Sequence, residues 1–285
     1  MTGRVQYYAP DFNHTLTPDR TMEQSRLDAL HDWFDSYVHT YRDIDEEGYR
    51  NILLKVEHTR KVCEIMALLA EGEGLTPDQG RIAEATALLH DVGRFPQFRR
   101  WRTFRDSDSD NHARLGIEVI RAQGLLSDLP EAERTIIEEA VRFHNLLALP
   151  AHYASPSDLH IRLIRDADKL DIWRVFFDYF RLPDNQRPSA VTLGFPDHPR
   201  VTPACVTELS SGRIIDLKNV QTLNDFKLLQ ISWVYDLNFP TSYRLLQQRR
   251  HIEALAGTIP LDDQSAAAVA AALETIARKA YKENS

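Results

Sequence analysis

Cysteine is scarce in this chain of 285 residues, with only Cys63 and Cys205. Two thiols set inside apolar helical patterns cannot build a disulfide framework, and they fit a reducing compartment, so a cytoplasmic location is the expectation. Long apolar runs are missing as well. The longest, Ala266 to Leu273, is eight residues and mostly alanine, and Met1 to Pro10 has no apolar core of a signal peptide. The sequence therefore offers no membrane span. Positive charge is also in deficit: 34 basic against 42 acidic side chains give a formal net charge of −8. Nonspecific binding to long nucleic acid needs a net positive surface, so no long nucleic acid is expected as a partner. Glycine and proline are too few and too scattered for disorder or a collagen repeat, and 43% apolar residues suffice for a core.

What is present reads as helix, because apolar residues recur at three and four rather than at two. The pattern predicts helices over 21–41, 49–71, 76–90, 111–123, 130–145 and 157–180, with a capping signature at Thr76, Pro77 and Gln79. Leu182 to Arg200 carries four prolines without periodicity and is expected as a surface loop. A short helix over 203–210, an extended piece over 213–220 and helices starting near Leu223, Pro240 and Asp262 complete an all-α reading. The expected organisation is a single α-helical domain over 1–285, with a core at about 49–180 and a C-terminal helical extension at about 201–285.

The informative feature is the order of histidines and aspartates. His58, His90 with Asp91, His112, His144 and Asp168 each fall on a different predicted helix, apart from the adjacent pair. A metal site inside a helical bundle needs one or two inward ligands per helix, and imidazole with carboxylate suits first-row divalent ions. An isolated histidine is usually a surface or satisfied core residue, and His14, His31, His39 and His152 are read that way. The pair is different, because Leu88-Leu89-His90-Asp91-Val92-Gly93 puts a charge directly after a buried apolar run, where a metal would compensate it.

His58, then Leu-Leu-His90-Asp91-Val-Gly-Arg94, then Asp166-Ala-Asp168-Lys-Leu-Asp171 resembles the HD-domain superfamily of metal-dependent phosphohydrolases over roughly Tyr49 to Phe180. The resemblance implies an HD-domain-like all-α bundle in which His58, His90, Asp91 and Asp168 bind one divalent ion. It also implies that His112 and His144 serve a second ion, as in two-metal members, with Asp91 bridging. One or two ions are thus expected, with manganese, iron, magnesium, cobalt, nickel and zinc left open. Many two-metal members have lysine where this chain has Arg94, and the Gly-Tyr-Pro signature of the cyclic-dinucleotide branch is absent.

Arg94 to Arg105 holds five arginines among four aromatics. Guanidinium matches phosphate bidentately, so Arg94, Arg99 and Arg100 are candidates to bind a small phosphorylated substrate. The competing reading is a surface loop whose arginines pair with Asp106, Asp108 and Asp110. Asp91, Arg94 and Asp168 are the catalytic candidates, with Asp168 or Asp171 to orient a water. Asp171 is alternatively a group that orients a ligand histidine. Asp166 and Lys169 are expected on a solvated helix face, and Cys63 in the core. No nucleophile elbow or P-loop appears.

The expected activity is hydrolysis of a nucleotide, phosphomonoester or phosphodiester. The same six-ligand set also serves di-iron oxygenases of the superfamily acting on a polyol or phosphonate, and a third reading is a non-catalytic nucleotide or metal sensor. Self-association is left open.

Overall fold

Caps settle where the helices begin. Asp45 accepts a hydrogen bond from the Gly48 amide and starts α2 (Glu46–Gly72), three residues earlier than the apolar pattern alone suggests. Thr76 and Gln79 exchange the two bonds of a capping box at the head of α3 (Pro77–Leu89), as their spacing predicts. Asn111 caps α5 (His112–Ala122), which puts His112 in its first turn.

The computed structural model describes residues 21–149, 156–188 and 190–281; His14 and His152 lie outside the described residues. Before α2 comes α1 (Gln24–His39), and α4 (Arg94–Trp101), α6 (Glu131–Phe143) and α7 (Asp158–Arg181) complete the N-terminal set. After the 182–200 segment come α8 (Pro203–Ser210), α9 (Leu223–Ser232), α10 (Pro240–Arg249), α11 (His251–Ala256) and α12 (Asp263–Ala280). Among the described residues there is no strand, and the 213–220 piece contains one 3-10 turn at Leu217–Asn219. No described helix is long and apolar enough to cross a membrane.

Two elements depart from the sequence reading. The arginine-rich segment is a helix over most of its length, because Phe95 and Phe98 bury on one side of α4 while Arg99 and Arg100 stay exposed on the other. The α10 helix ends at Arg250, whose φ of 53° breaks it and starts α11 in a new direction.

The central element is α7. It packs on α2, α3 and α6 on one side and on α10 and α11 on the other. Leu163, Ile164, Ala167 and Leu170 are buried, but so are Arg165, Asp166 and Asp171. A helix covered all round has no polar face to show, which is why its sequence pattern gives little indication of which residues face inward.

Asp166 and Lys169 therefore do not lie on a solvated face. Asp166 is fully buried and accepts from the Asn238 and Phe239 amides, from Asn238 Nδ2 and from Ser242 Oγ. Lys169 reaches Asp236 at 2.6 Å, and Arg165 reaches the same carboxylate at 2.6 Å. Both residues belong to the seam with the C-terminal helices.

Candidate metal centre

Five helices deliver six side chains to one point. His58 comes from the middle of α2 and Asp168 from the middle of α7. His90 and His144 occupy the C-terminal caps of α3 and α6, and His112 opens α5. Asp91 follows His90 directly. All except the partly exposed Asp168 are buried.

Two groups form. His58, His90 and Asp168 bring ligand atoms within 4.8 Å of one another, and so do Asp91, His112 and His144. Asp91 joins them through its two oxygens. Its Oδ2 lies 3.6 Å from Nε2 of both His58 and His90, while Oδ1 lies 3.5 Å from His112 Nε2 and 3.9 Å from His144 Nε2.

The tautomers follow from what each Nδ1 touches. His90 Nδ1 is 2.7 Å from the Ala87 carbonyl and His144 Nδ1 is 2.7 Å from the Val141 carbonyl, so both must donate. Each cap thereby also satisfies a carbonyl that the helix end would leave open. His58 Nδ1 donates to Asp171 Oδ2 at 2.8 Å, and His112 Nδ1 to Asp106 Oδ2 at 2.8 Å. With the proton on Nδ1, every Nε2 in the neutral ring is a lone pair aimed inward.

Those lone pairs meet other acceptors rather than donors, and His58 Nε2 lies 3.0 Å from Asp168 Oδ1. Nε2 of His58 and of His90 is buried without a hydrogen bond, and the Nε2 atoms of His112 and His144 face each other at 3.0 Å. Two acceptors at that distance repel unless a cation lies against them. Burial, with His112 and His90 beside it, pushes the His144 imidazole down to about 3, so a proton is not that cation near neutral pH. Burial and Arg94 also depress His112. Burial would raise the Asp91 carboxyl, yet the Lys55 ammonium and the Arg94 guanidinium beside it hold it well below the usual range and keep it ionised. The donor set fits a divalent cation at each group, and the Nδ1 acceptors are the orienting partners that metal-bound imidazoles need.

Asp171 has no oxygen to spare for a water. It is fully buried, holds His58, and takes Arg174 Nε at 2.6 Å and Nη2 at 3.0 Å. Arg94 lines the cavity beside the centre, but its Nη1 donates to Gln97, the Phe104 carbonyl and Asp106, and its Nε lies 3.3 Å from Asp91 Oδ1. Arg99 pairs with Asp43 and stacks on Tyr41, and Arg100 stacks on Trp101. Neither Arg99 nor Arg100 lines that cavity. Short intrahelical spacing placed them beside His90 in sequence, but α4 turns their side chains outward.

Lys55 and Gln97 escaped the sequence reading, and Asp106, expected there only as an arginine partner and paired with Arg94, also holds His112. Lys55 reaches over from α2, one turn before His58, and puts Nζ 2.7 Å from Asp91 Oδ2. Its i, i+3 relation to His58 was the available signal. Asp106 gathers His112, Arg94 and Gln97, and Gln97, itself fully buried, also ties Ser109 and the Asp110 carbonyl. Nothing in the linear pattern marks that Gln.

An all-α fold in which imidazoles and carboxylates from separate helices converge on buried lone pairs forms a candidate divalent-metal site. Residues 56–173 match the HD domain family, generally metal-dependent phosphohydrolases, and this stretch contains all six converging side chains. No curated protein and no solved structure gives a significant match to the chain.

Proposed function

We propose that this protein is a metal-dependent phosphohydrolase that cleaves a small phosphorylated compound. In this reading His58, His90, Asp91 and Asp168 would hold one divalent ion, and Asp91, His112 and His144 would hold a second. The observation that carries it is the set of four inward Nε2 lone pairs, each fixed by an Nδ1 donor bond, around a carboxylate with one oxygen toward each group. Ions bound there supply Lewis acidity, lowering the pKa of a water nucleophile and offsetting charge on the phosphoryl oxygens.

The chain's own groups do the rest. Lys55 and Lys169 line the cavity at the centre and offer ammonium groups to phosphate oxygens, the role the sequence suggested for Arg99 and Arg100. Arg94 ties Asp91 to Asp106 and so fixes the bridging carboxylate relative to His112. Phe104, with its ring 5.6 Å from the Lys55 ammonium, lines the cavity beside the centre. The packing of α10 and α11 on α7 supports one domain, and two buried free thiols support a reducing, cytoplasmic setting.

Phosphate release from a panel of phosphomonoesters, phosphodiesters and nucleotides, with manganese present and oxygen excluded, tests the proposal. Turnover that is lost in Asp91→Ala is the expected result. A folded, manganese-loaded protein that turns over none of them, but consumes dioxygen once loaded with iron, would replace hydrolysis by di-iron oxygenation.

A further inference from the structure

The cavity beside the centre has a volume of about 500 Å³, within the range of small-molecule sites, and its two ends differ in chemistry. At one end stand His58, His112, His144 and Asp168 with Lys55 and Lys169. Lys169 and Arg165 share the Asp236 carboxylate, which holds both cations at this end of the cavity. The opposite walls are hydrocarbon: Val175 and Phe176 from α7, Phe226 and Leu229 from α9, Trp233 just beyond, and Ile215 from the segment before α9. Phe226 meets Phe176 edge-on at 5.4 Å and Trp233 lies 6.2 Å from Trp173, so this wall is braced from behind.

Polar groups able to read a sugar or a base are few beyond the centre, and Arg105, which lines the cavity, is engaged by Asp108 and the Leu193 carbonyl. Among the described residues, the uncharged polar side chains lining the cavity are Ser107 and Asn145 besides the indole of Trp233. Asn145 Nδ2 donates to Asp106 and Ser107 Oγ to Asp108, both on the side of the centre. Asp216, at the far side, is taken by Lys218 at 2.7 Å. A nucleoside seated here would give up hydrogen bonds to water and regain few. A hydrocarbon group would gain from every methylene it buries.

Resting on the phosphohydrolase reading, we propose that the substrate is a phosphate ester with an apolar hydrocarbon body, which lies between α7 and α9 with its phosphate at the metal centre. Water adds to phosphorus and the P–O bond to the organic group breaks. The alcohol leaves with one proton of the water, and inorganic phosphate keeps the other. The C-terminal extension thus sets which body the HD-domain centre accepts.

The test compares methyl, hexyl and decyl phosphonates as non-hydrolysable probes by calorimetry on the manganese-loaded full chain. In parallel, kcat/KM is measured for hexyl phosphate, decyl phosphate, glycerol phosphate and adenosine monophosphate. Affinity should rise about threefold to fourfold per methylene up to hexyl, and decyl phosphate should exceed the two polar esters by on the order of a hundredfold in kcat/KM. Val175→Asn and Trp233→Gln, both at half-buried wall positions, should flatten the chain-length dependence and leave methylphosphonate affinity unchanged. Chain-length-dependent phosphonate binding without hydrolysis of any ester would support the apolar site and overturn the hydrolase reading alone. Hydrolysis of the polar esters with no dependence on chain length would overturn the apolar-body proposal and leave the hydrolase reading standing. Absence of both phosphonate binding and turnover would overturn both.

Discussion

Asp171→Asn separates the two halves of the centre. Asp171 is fully buried, donates nothing, and holds the His58 imidazole by a 2.8 Å bond to Nδ1. Asparagine keeps the volume and one acceptor oxygen but removes the charge, and a charge-assisted bond is about twice as strong as a neutral one. The His58 ring becomes less basic and less firmly aimed, which should cost about 10- to 100-fold in affinity for the ion on that side, or about 1.4 to 2.8 kcal/mol. Nothing comparable should happen to the other group, because His112 is held by Asp106 and His144 by the Val141 carbonyl. Asp106→Asn is the mirror experiment. Manganese titration by calorimetry, with circular dichroism as the folding control, should show one binding step weakened in each variant and a different step in each. Arg174 keeps Glu57 at 3.1 Å and Asp178 at 2.9 Å, so the fold should lose only about 2 kcal/mol rather than the full cost of a stranded buried charge. Equal weakening of both steps in Asp171→Asn, or a change under twofold in a folded protein, would refute the division of ligands argued above.

Gly93→Ala should be severe, since an added Cβ would sit 2.1 Å from the His112 carbonyl oxygen and 2.4 Å from the Gly116 nitrogen, both backbone atoms. About 3 kcal/mol is the expected loss, read as a Tm lower by roughly 6 °C or more. Asp166→Ala leaves the Asn238 and Phe239 amides and the Ser242 hydroxyl without their shared acceptor, and urea denaturation should show a loss of about 3 kcal/mol. Lys55→Met should raise KM for a phosphate ester about tenfold, while manganese affinity holds or rises, because Lys55 Nζ competes for Asp91 Oδ2. His31 has a folded pKa raised above 6.5, chiefly by its hydrogen bond to Glu84. Its contribution is therefore fully present below pH 6.5 and disappears as pH rises through the higher folded value. His31→Gln should flatten chemical-denaturation stability across that window and leave stability at high pH unchanged.

The parts of this protein legible in the sequence are those governed by short-range rules. Thr76-Pro77-Gln79 announces its capping box, and His90-Asp91 after a buried run announces a charge that needs a partner. Lys55, Gln97 and the bond from His112 to Asp106 were not legible, because their importance comes from helices that meet only in three dimensions. The misplacement of Asp166 and Lys169 has the same origin. A charged residue is assumed to face water, and on α7 the assumption fails because the C-terminal helices supply Asn238, Ser242 and Asp236. Arg99 and Arg100 fail in the opposite sense. Proximity to the pair in sequence suggested a substrate role, yet one helical turn of α4 suffices to carry them onto the outer surface.

Both faces of α7 are needed at once. Asp168 and Asp171 serve the centre, whereas Arg165, Asp166 and Lys169 fasten the segment from Asp236 to Ser242. Because these two sets interleave along one helix, a shift of the C-terminal extension would rotate or slide the element that carries Asp168. The extension also furnishes Ile215, Phe226, Leu229 and Trp233 to the cavity wall. The converging ligand-type side chains and the apolar cavity wall are thus joined through a single helix. In the proposed reading the stretch 56–173 would supply the ligand atoms, while residues beyond 200, with Val175 and Phe176 of α7, would bound what lies beside them.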